Sequence, residues 1–276
     1  MTTGQWWIVA LSEQLAPGKT LAAVCDGRQL ALLREEKIPP AVAQAYPVAE
    51  LNGFVHVFLG DAARGGEPDA ALPAAAYRAA GREYSGTAVA SIAFEEYLDV
   101  MLDGPECLLA FPGVVITDFF LGDPRRDGRH LVLDRGAVWK GKGIGPAFVR
   151  DHPLLVRTRV PLTGGDVIVE LLDADERALV TVFVAATANR RGTTSLAWRG
   201  FAHGHAGDAP LGWRLRRLAG SAPFAINHMI DGRAVAALEI APSRDRRRGP
   251  EIGTPITPVA PAATDAAPSA QERSLA

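Results

Sequence analysis

The stretch "LALLREEKIPPAVAQAYPVAELNGFVHVFLGD", Leu30 to Asp61, reads as two β-rich segments with almost nothing between them. A run ending at Arg34 passes into a short Pro-containing link, and the tight apolar run "GFVHVFLGD" follows. Two strands this close leave no room for an elaborate insertion. What such a gap would otherwise house is the question that orders the rest of the sequence.

Upstream, residues 6–60 continue the β pattern. "WWIVALS" and "TLAAVC" are apolar and partly β-branched, and "RQLALLRE" alternates. Downstream, "DAARGGEPDAALPAAA" (61–76) is rich in Gly, Pro and Ala and reads as a linker. In "SIAFEEYLDVML", Ser91 to Leu102, apolar residues at Ile92, Phe94, Tyr97, Leu98, Met101 and Leu102 fall on one helical face, and "DGP" ends it. After Val114 the pattern returns to β with "GVVITDFFLGD", "HLVLDRGAVWKG", "LLVRTRVPL", "DVIVELLD", "ALVTVFVAATA" and "TTSLAWRGFAH". A last helical region is expected from Pro210 to about Glu239. Beyond Pro242 the composition cannot bury a core and reads as a disordered tail, whose Arg run is a solvated stretch.

The totals exclude several functions. With 276 residues, 48% hydrophobic and 22% charged, the chain is an ordinary globular one. A net charge of −2 offers no footprint for nucleic acid or an anionic membrane. The apolar runs are shorter than the ~20 residues of a membrane-spanning helix. The first residues lack a basic n-region and do not read as a signal peptide. Two cysteines, Cys25 and Cys107, occur with no CxxC or CxH spacing, which suits a reducing, cytoplasmic compartment.

The order of elements gives an α+β chain. A small β domain (1–62) and a linker (63–90) precede a helix-grip, START-like domain (91–241), in which a helix lies across a curved antiparallel sheet and a C-terminal helix closes it. The tail covers 242–276. Such an architecture encloses an apolar cavity and binds ligands without specifying their chemistry.

Several pieces resemble one family. "WWIVALSEQLAPGKTL" is similar to the opening of the catalytic subunit of Rieske-type non-heme iron oxygenases, the aromatic ring-hydroxylating enzymes. "YPVAELNGFVHVFLGDA" resembles the closing strand of their Rieske domain, entered by an Asn-Gly turn. "FEEYLDVMLDGPECLLAFPG" stands where the family has its iron-binding helix, "FVAATANRRGTTSLAWRGFAHGH" resembles its late hairpin, and "HMIDGRAVAALE" the final helix that supplies a carboxylate ligand. The resemblance runs from Trp6 to Glu239.

The departures answer the opening question. The resemblance implies a [2Fe–2S] cluster held by two Cys and two His on two CxH loops. Those loops would lie between Arg34 and Tyr46, where the sequence has eleven residues, "EEKIPPAVAQA", with neither Cys nor His. No Rieske cluster is expected, and Cys25 is expected to be a small buried hydrophobe. The family's iron is held by two His and a carboxylate. Asp103 matches the acidic position, but Glu106 stands near the first His and Phe111 near the second. The third ligand maps onto Asp231, or onto His228 if the register slips. No catalytic iron is expected from this donor set.

Other chemistry weighs little. His203 and His205 share a strand face but have no third ligand nearby, and the reading is exposed histidines. "KGKGIGP" (140–146) lacks the ending of a phosphate loop. Adjacent Glu95 and Glu96 diverge by about 100° on a helix. GxSxG is absent. Phe94, Tyr97, Met101 and Phe111 are core or, by the resemblance, the wall of a substrate cavity. Glu106, His228 and Asp231 would be its polar contacts.

Three functions are compatible with this. The first is a metal-free partner subunit beside an intact Rieske oxygenase subunit, or beside copies of itself in the ring that the family forms. The second is a cavity that binds an apolar small molecule or transforms it without metal, by cyclisation, isomerisation or dehydration. The third, ranked last, is an iron oxygenase with an unusual ligand set.

Overall fold

The structure, a computed structural model, describes residues 4–34, 41–42, 46–60, 68, 80–120, 124–139, 153–189, 192–203 and 222–229. Asp231, His205, the "KGKGIGP" stretch, the tail and most of the expected helical region 210–239 lie outside them; within that region the described residues 222–229 are not helical, and Ala225–Ile226 form a short strand instead.

The N-terminal part forms two small antiparallel sheets. In one, β1 (Gln5–Leu11) pairs with β6 (Phe54–Leu59), and β6 with β5 (Val48–Leu51). In the other, β2 (Thr20–Cys25), β3 (Arg28–Leu33) and β4 (Ala41–Val42) lie side by side. The short link in the opening stretch is thus a return on itself: Ala41 and Val42 pair with Leu33 and Leu32. Asn52 and Gly53, both at positive φ (54° and 74°), make the two-residue turn from β5 to β6, the backbone twist that an Asn-Gly pair supplies cheaply.

The rest is built on an eight-stranded antiparallel sheet. Its path runs β10 (Arg125–Asp127), β11 (His130–Trp139), β12 (Pro153–Pro161), β13 (Asp166–Leu172), β14 (Ala178–Ala188), β15 (Thr194–His203) and β7 (Ala80–Ala90), with β9 (Val114–Phe120) also on β11. The six strands expected after residue 112 are all present. Residues 80–90 correct the expected linker, for they form an edge strand paired along the whole of β15, from Thr194↔Ala90 to His203↔Ala80. Tyr84, Thr87 and Val89 favour extended backbone, while Gly81 and Gly86 hide the pattern.

Strand β14 shows why the sheet holds together. Its nine central residues are buried because both faces are covered. Val180, Val182, Val184 and Ala186 point to one side, into a core shared with the helix α1 (Phe94–Asp103). Phe183 and Ala185 point to the other, where they meet Ile8, Leu11 and Phe54 of the small sheet together with Ile168, Ala197 and Phe201. This is the period of two that a strand enforces. A bulge between Ile8 and Ala10 keeps β1 in step with both cores, so that Ile8 and Leu11 face the large sheet while Trp7 and Ala10 face inward. Beyond the small sheet the same face carries ion pairs: Asp134 with Arg157 and Arg125, and Arg159 with Glu170 and Asp127. Among the described residues no helix is long and apolar enough to cross a membrane.

Candidate functional site

Helix α1 follows Ala93, which offers no side-chain cap, and Glu95 and Glu96 in its first turn suit the positive end of the helix dipole. It buries Tyr97, Leu98, Val100, Met101 and Leu102, and Gly104 with Pro105 ends it. A single turn, Pro105–Cys107, leads to the two-residue strand β8 (Leu109–Ala110), which pairs with β16 (Ala225–Ile226). The ladder continues past β16, as Asn227 N donates to Leu108 O at 2.7 Å and Asn227 Nδ2 to the Cys107 carbonyl at 2.9 Å. His228 O accepts from Ser91 N at 3.3 Å. The segment bearing His228 therefore runs beside the turn bearing Glu106.

The residues singled out from sequence separate into two groups. Tyr97, Met101 and Phe111 belong to the continuous core under the helix, and burial pushes the Tyr97 hydroxyl well above its usual pKa. Phe94 is half-buried and lines a cleft against Trp7, whose ring centre lies 5.9 Å away. Glu106 and His228 are exposed on neighbouring segments. Asp103 is half-buried, 3.9 Å from Arg135.

Among the described residues these positions do not make up an iron site like that of the resembled family, and the third candidate ligand, Asp231, lies outside them. An iron site needs imidazoles and a carboxylate aimed at one point. Here Phe111 is packed in the core, Asp103 faces a guanidinium, and Glu106 is turned to solvent. Among the described residues no three His, Cys, Asp or Glu side chains come together as ligands. Cys25 is completely buried among Leu30, Leu32 and Val55, and its thiol is pushed far up by burial and the nearby Asp26 charge, the opposite of a poised metal ligand.

One expectation is overturned, and two polar clusters escaped the sequence reading. His203 is not an exposed histidine: it is buried, with Nε2 2.9 Å from Thr181 Oγ1. Strand alternation places it with Arg199 and Phe201, a signal that the loop-like "HGHAGD" obscured. Between the sheets, Asp166 holds Arg129, and His130 Nε2 lies 3.3 Å from the same carboxylate without a hydrogen bond. His56, buried in β6, faces this group, and burial lowers its pKa to about 4 against the opposing pull of the Leu51 backbone and Asp166. The second cluster lines the cleft at Phe94, about 730 Å³ in volume, between the small sheets, the start of α1 and two hairpin loops of the large sheet.

No family model matches the sequence, and no curated protein matches it. Solved structures do match. Dicamba monooxygenase bound to 3,6-dichlorosalicylic acid superposes with a TM-score of 0.58 at 13% identity, over 88% of this chain and 88% of that one. Apo dicamba monooxygenase gives 0.52 at 14% identity over 88% and 87%. The NdmA QL mutant from Pseudomonas putida CBB5, with caffeine, gives 0.50 at 11% identity over 78% of each. The fold is therefore Rieske oxygenase-like, a mostly antiparallel sheet with one described helix.

Proposed function

We propose that this chain is a Rieske oxygenase-like subunit without metal centres of its own, acting as a non-catalytic partner of an intact oxygenase subunit. One observation carries the reading: in a Rieske oxygenase-like fold, neither position that the resemblance assigns to an imidazole holds one, Glu106 and Phe111 standing there instead. Phe111 is core where an imidazole would stand, and the link between β3 and β5 has neither Cys nor His. A chain that keeps the fold and lacks the ligands retains surfaces for assembly rather than electron transfer. Its partner is a metal-bearing subunit of the same fold, or further copies of itself in a ring. The test is co-expression with such a subunit, followed by native mass measurement. The reading expects a heteromeric mass and a change in the partner's turnover. A chain that stays monomeric beside every such partner contradicts it.

A second reading is favoured by the pairing of the 225–229 segment with the end of α1. The ladder that joins Asn227 to Leu108 sets the segment bearing His228 beside the turn bearing Glu106, and Asp231 follows three residues later in the sequence. Those three polar groups would serve a metal-independent site for an apolar small molecule, with Phe94, Tyr97, Met101 and Phe111 as its apolar side. Alanine variants of Glu106, His228 and Asp231 test it through ligand binding and turnover. Unchanged behaviour in all three removes this reading.

A further inference from the structure

Apart from Phe94, the cleft shares no residue with the Glu106–His228 reading, and it draws on widely spaced parts of the chain. Gln5 and Trp7 come from β1, Asp26 from the turn after β2, Arg126 from β10, and Asn189 from the loop after β14. Its volume of about 730 Å³ lies within the range of small-molecule sites, which favour junctions between packed units. The half-buried Phe94 ring gives it an apolar floor, backed by the largely buried Trp7 ring tilted at 57° to it.

The polar lining restricts what can sit on that floor. Gln5 and Asn189 each offer a donor and an acceptor, Asp26 and Glu95 accept, and Arg126 donates. A hydrocarbon ring would strip water from the amide oxygens of Gln5 and Asn189 and from the Asp26 carboxylate without replacing its hydrogen bonds. A strongly charged ligand would oppose one sign of the lining. A neutral ring bearing several hydroxyls satisfies both demands, because each hydroxyl donates and accepts and the C–H face of the ring covers the aromatic floor.

We infer that this cleft binds a neutral cyclic polyol, a monosaccharide unit or a short oligosaccharide. The site is independent of the partner role proposed above. Saturation-transfer NMR on the full chain tests it, with the methyl glycosides of glucose, galactose, mannose and xylose, with cellobiose and maltose, and with glucuronate, glucosamine and indole as charged and apolar comparisons. At least one neutral sugar is expected to receive saturation, with an affinity unchanged by added salt. Asn189→Ala and Gln5→Ala are each expected to weaken it about tenfold, with far-UV circular dichroism unchanged. Asn189 sits in a loop, so its variant decides the matter if Gln5→Ala disturbs β1. Saturation of none of the neutral sugars overturns the inference. So does saturation of the charged or apolar probes alone, or binding that survives Asn189→Ala in full.

Discussion

The guanidinium carbon of Arg199, on β15 next to the edge of the large sheet, lies 5.4 Å from the ring centre of Phe54, on a strand of the small one. The same guanidinium donates to Gly53 O at 2.9 Å and pairs with Glu83 beside it and Glu13 on the small unit. One side chain thus stitches the two units together through a stacked ring, a carbonyl and two carboxylates. Planarity and five fixed donors suit Arg to this task in a way that Lys does not share.

Arg199→Leu should destabilise the chain by about 2 kcal/mol, since it removes the clamp and leaves two carboxylates without their shared partner. Arg199→Lys should recover less than half of the loss. Denaturant midpoints for the three proteins check this, and a midpoint unchanged in Arg199→Leu refutes the clamp.

Gly53→Ala should be costly for two separate reasons. The residue sits at φ +74°, and a Cβ there would lie 2.5 Å from the Arg199 Cζ. The strained backbone costs about 1 kcal/mol and displacement of the guanidinium adds to it. In the Arg199→Leu background the added part should disappear, a coupling that a double-mutant cycle measures.

Acid should weaken the contact between the units through His56. Its folded-state pKa of about 4 lies below the ordinary 6.5, so the unfolded chain takes up the proton first. Stability is intact above pH 6.5, falls as the pH drops toward 4, and levels off below that, a loss of about 3 kcal/mol from this group. Asp134 contributes in a lower window. Burial raises its pKa, but the Arg157 and Arg125 guanidinia outweigh burial and hold it below its usual value, so its share is lost only under stronger acid. His56→Leu should flatten the stability profile between pH 4 and 6.5, as read from denaturation midpoints across that range; a profile as steep as wild type contradicts this assignment.

Thiol labelling should separate the two cysteines. Cys25 is wholly buried and its thiol is pushed up, whereas Cys107 is half-buried. Alkylation of the folded chain at mildly alkaline pH should modify Cys107 first, and Cys25 only on unfolding.

Much of the fold could be read in advance, and the reasons are local. β11 to β15 are long, β-branched and bounded by turns, and the helix carries its apolar residues on one face. β7 was hidden because "AGREYSGTAVA" holds two glycines and few apolar side chains, and its place depends on pairing with a strand more than a hundred residues away. The same limit applies to the sites. Phe111 could be judged unfit for iron from its chemistry alone, and Glu106 could be seen to replace an imidazole by a carboxylate. The Arg199 clamp, the His56–Asp166 group and the Trp7–Phe94 cleft are assembled from distant segments, and no spacing along the chain announces them.

The central proposal is that this scaffold carries neither an iron–sulfur cluster nor a catalytic iron. Its most direct test is metal analysis together with visible absorption and electron paramagnetic resonance on protein produced with ample iron and sulfide and purified without oxygen. The account predicts a colourless protein with no iron in proportion to chain. A red-brown preparation with an iron–sulfur resonance, or iron bound one to one after dialysis against a chelator, would contradict it.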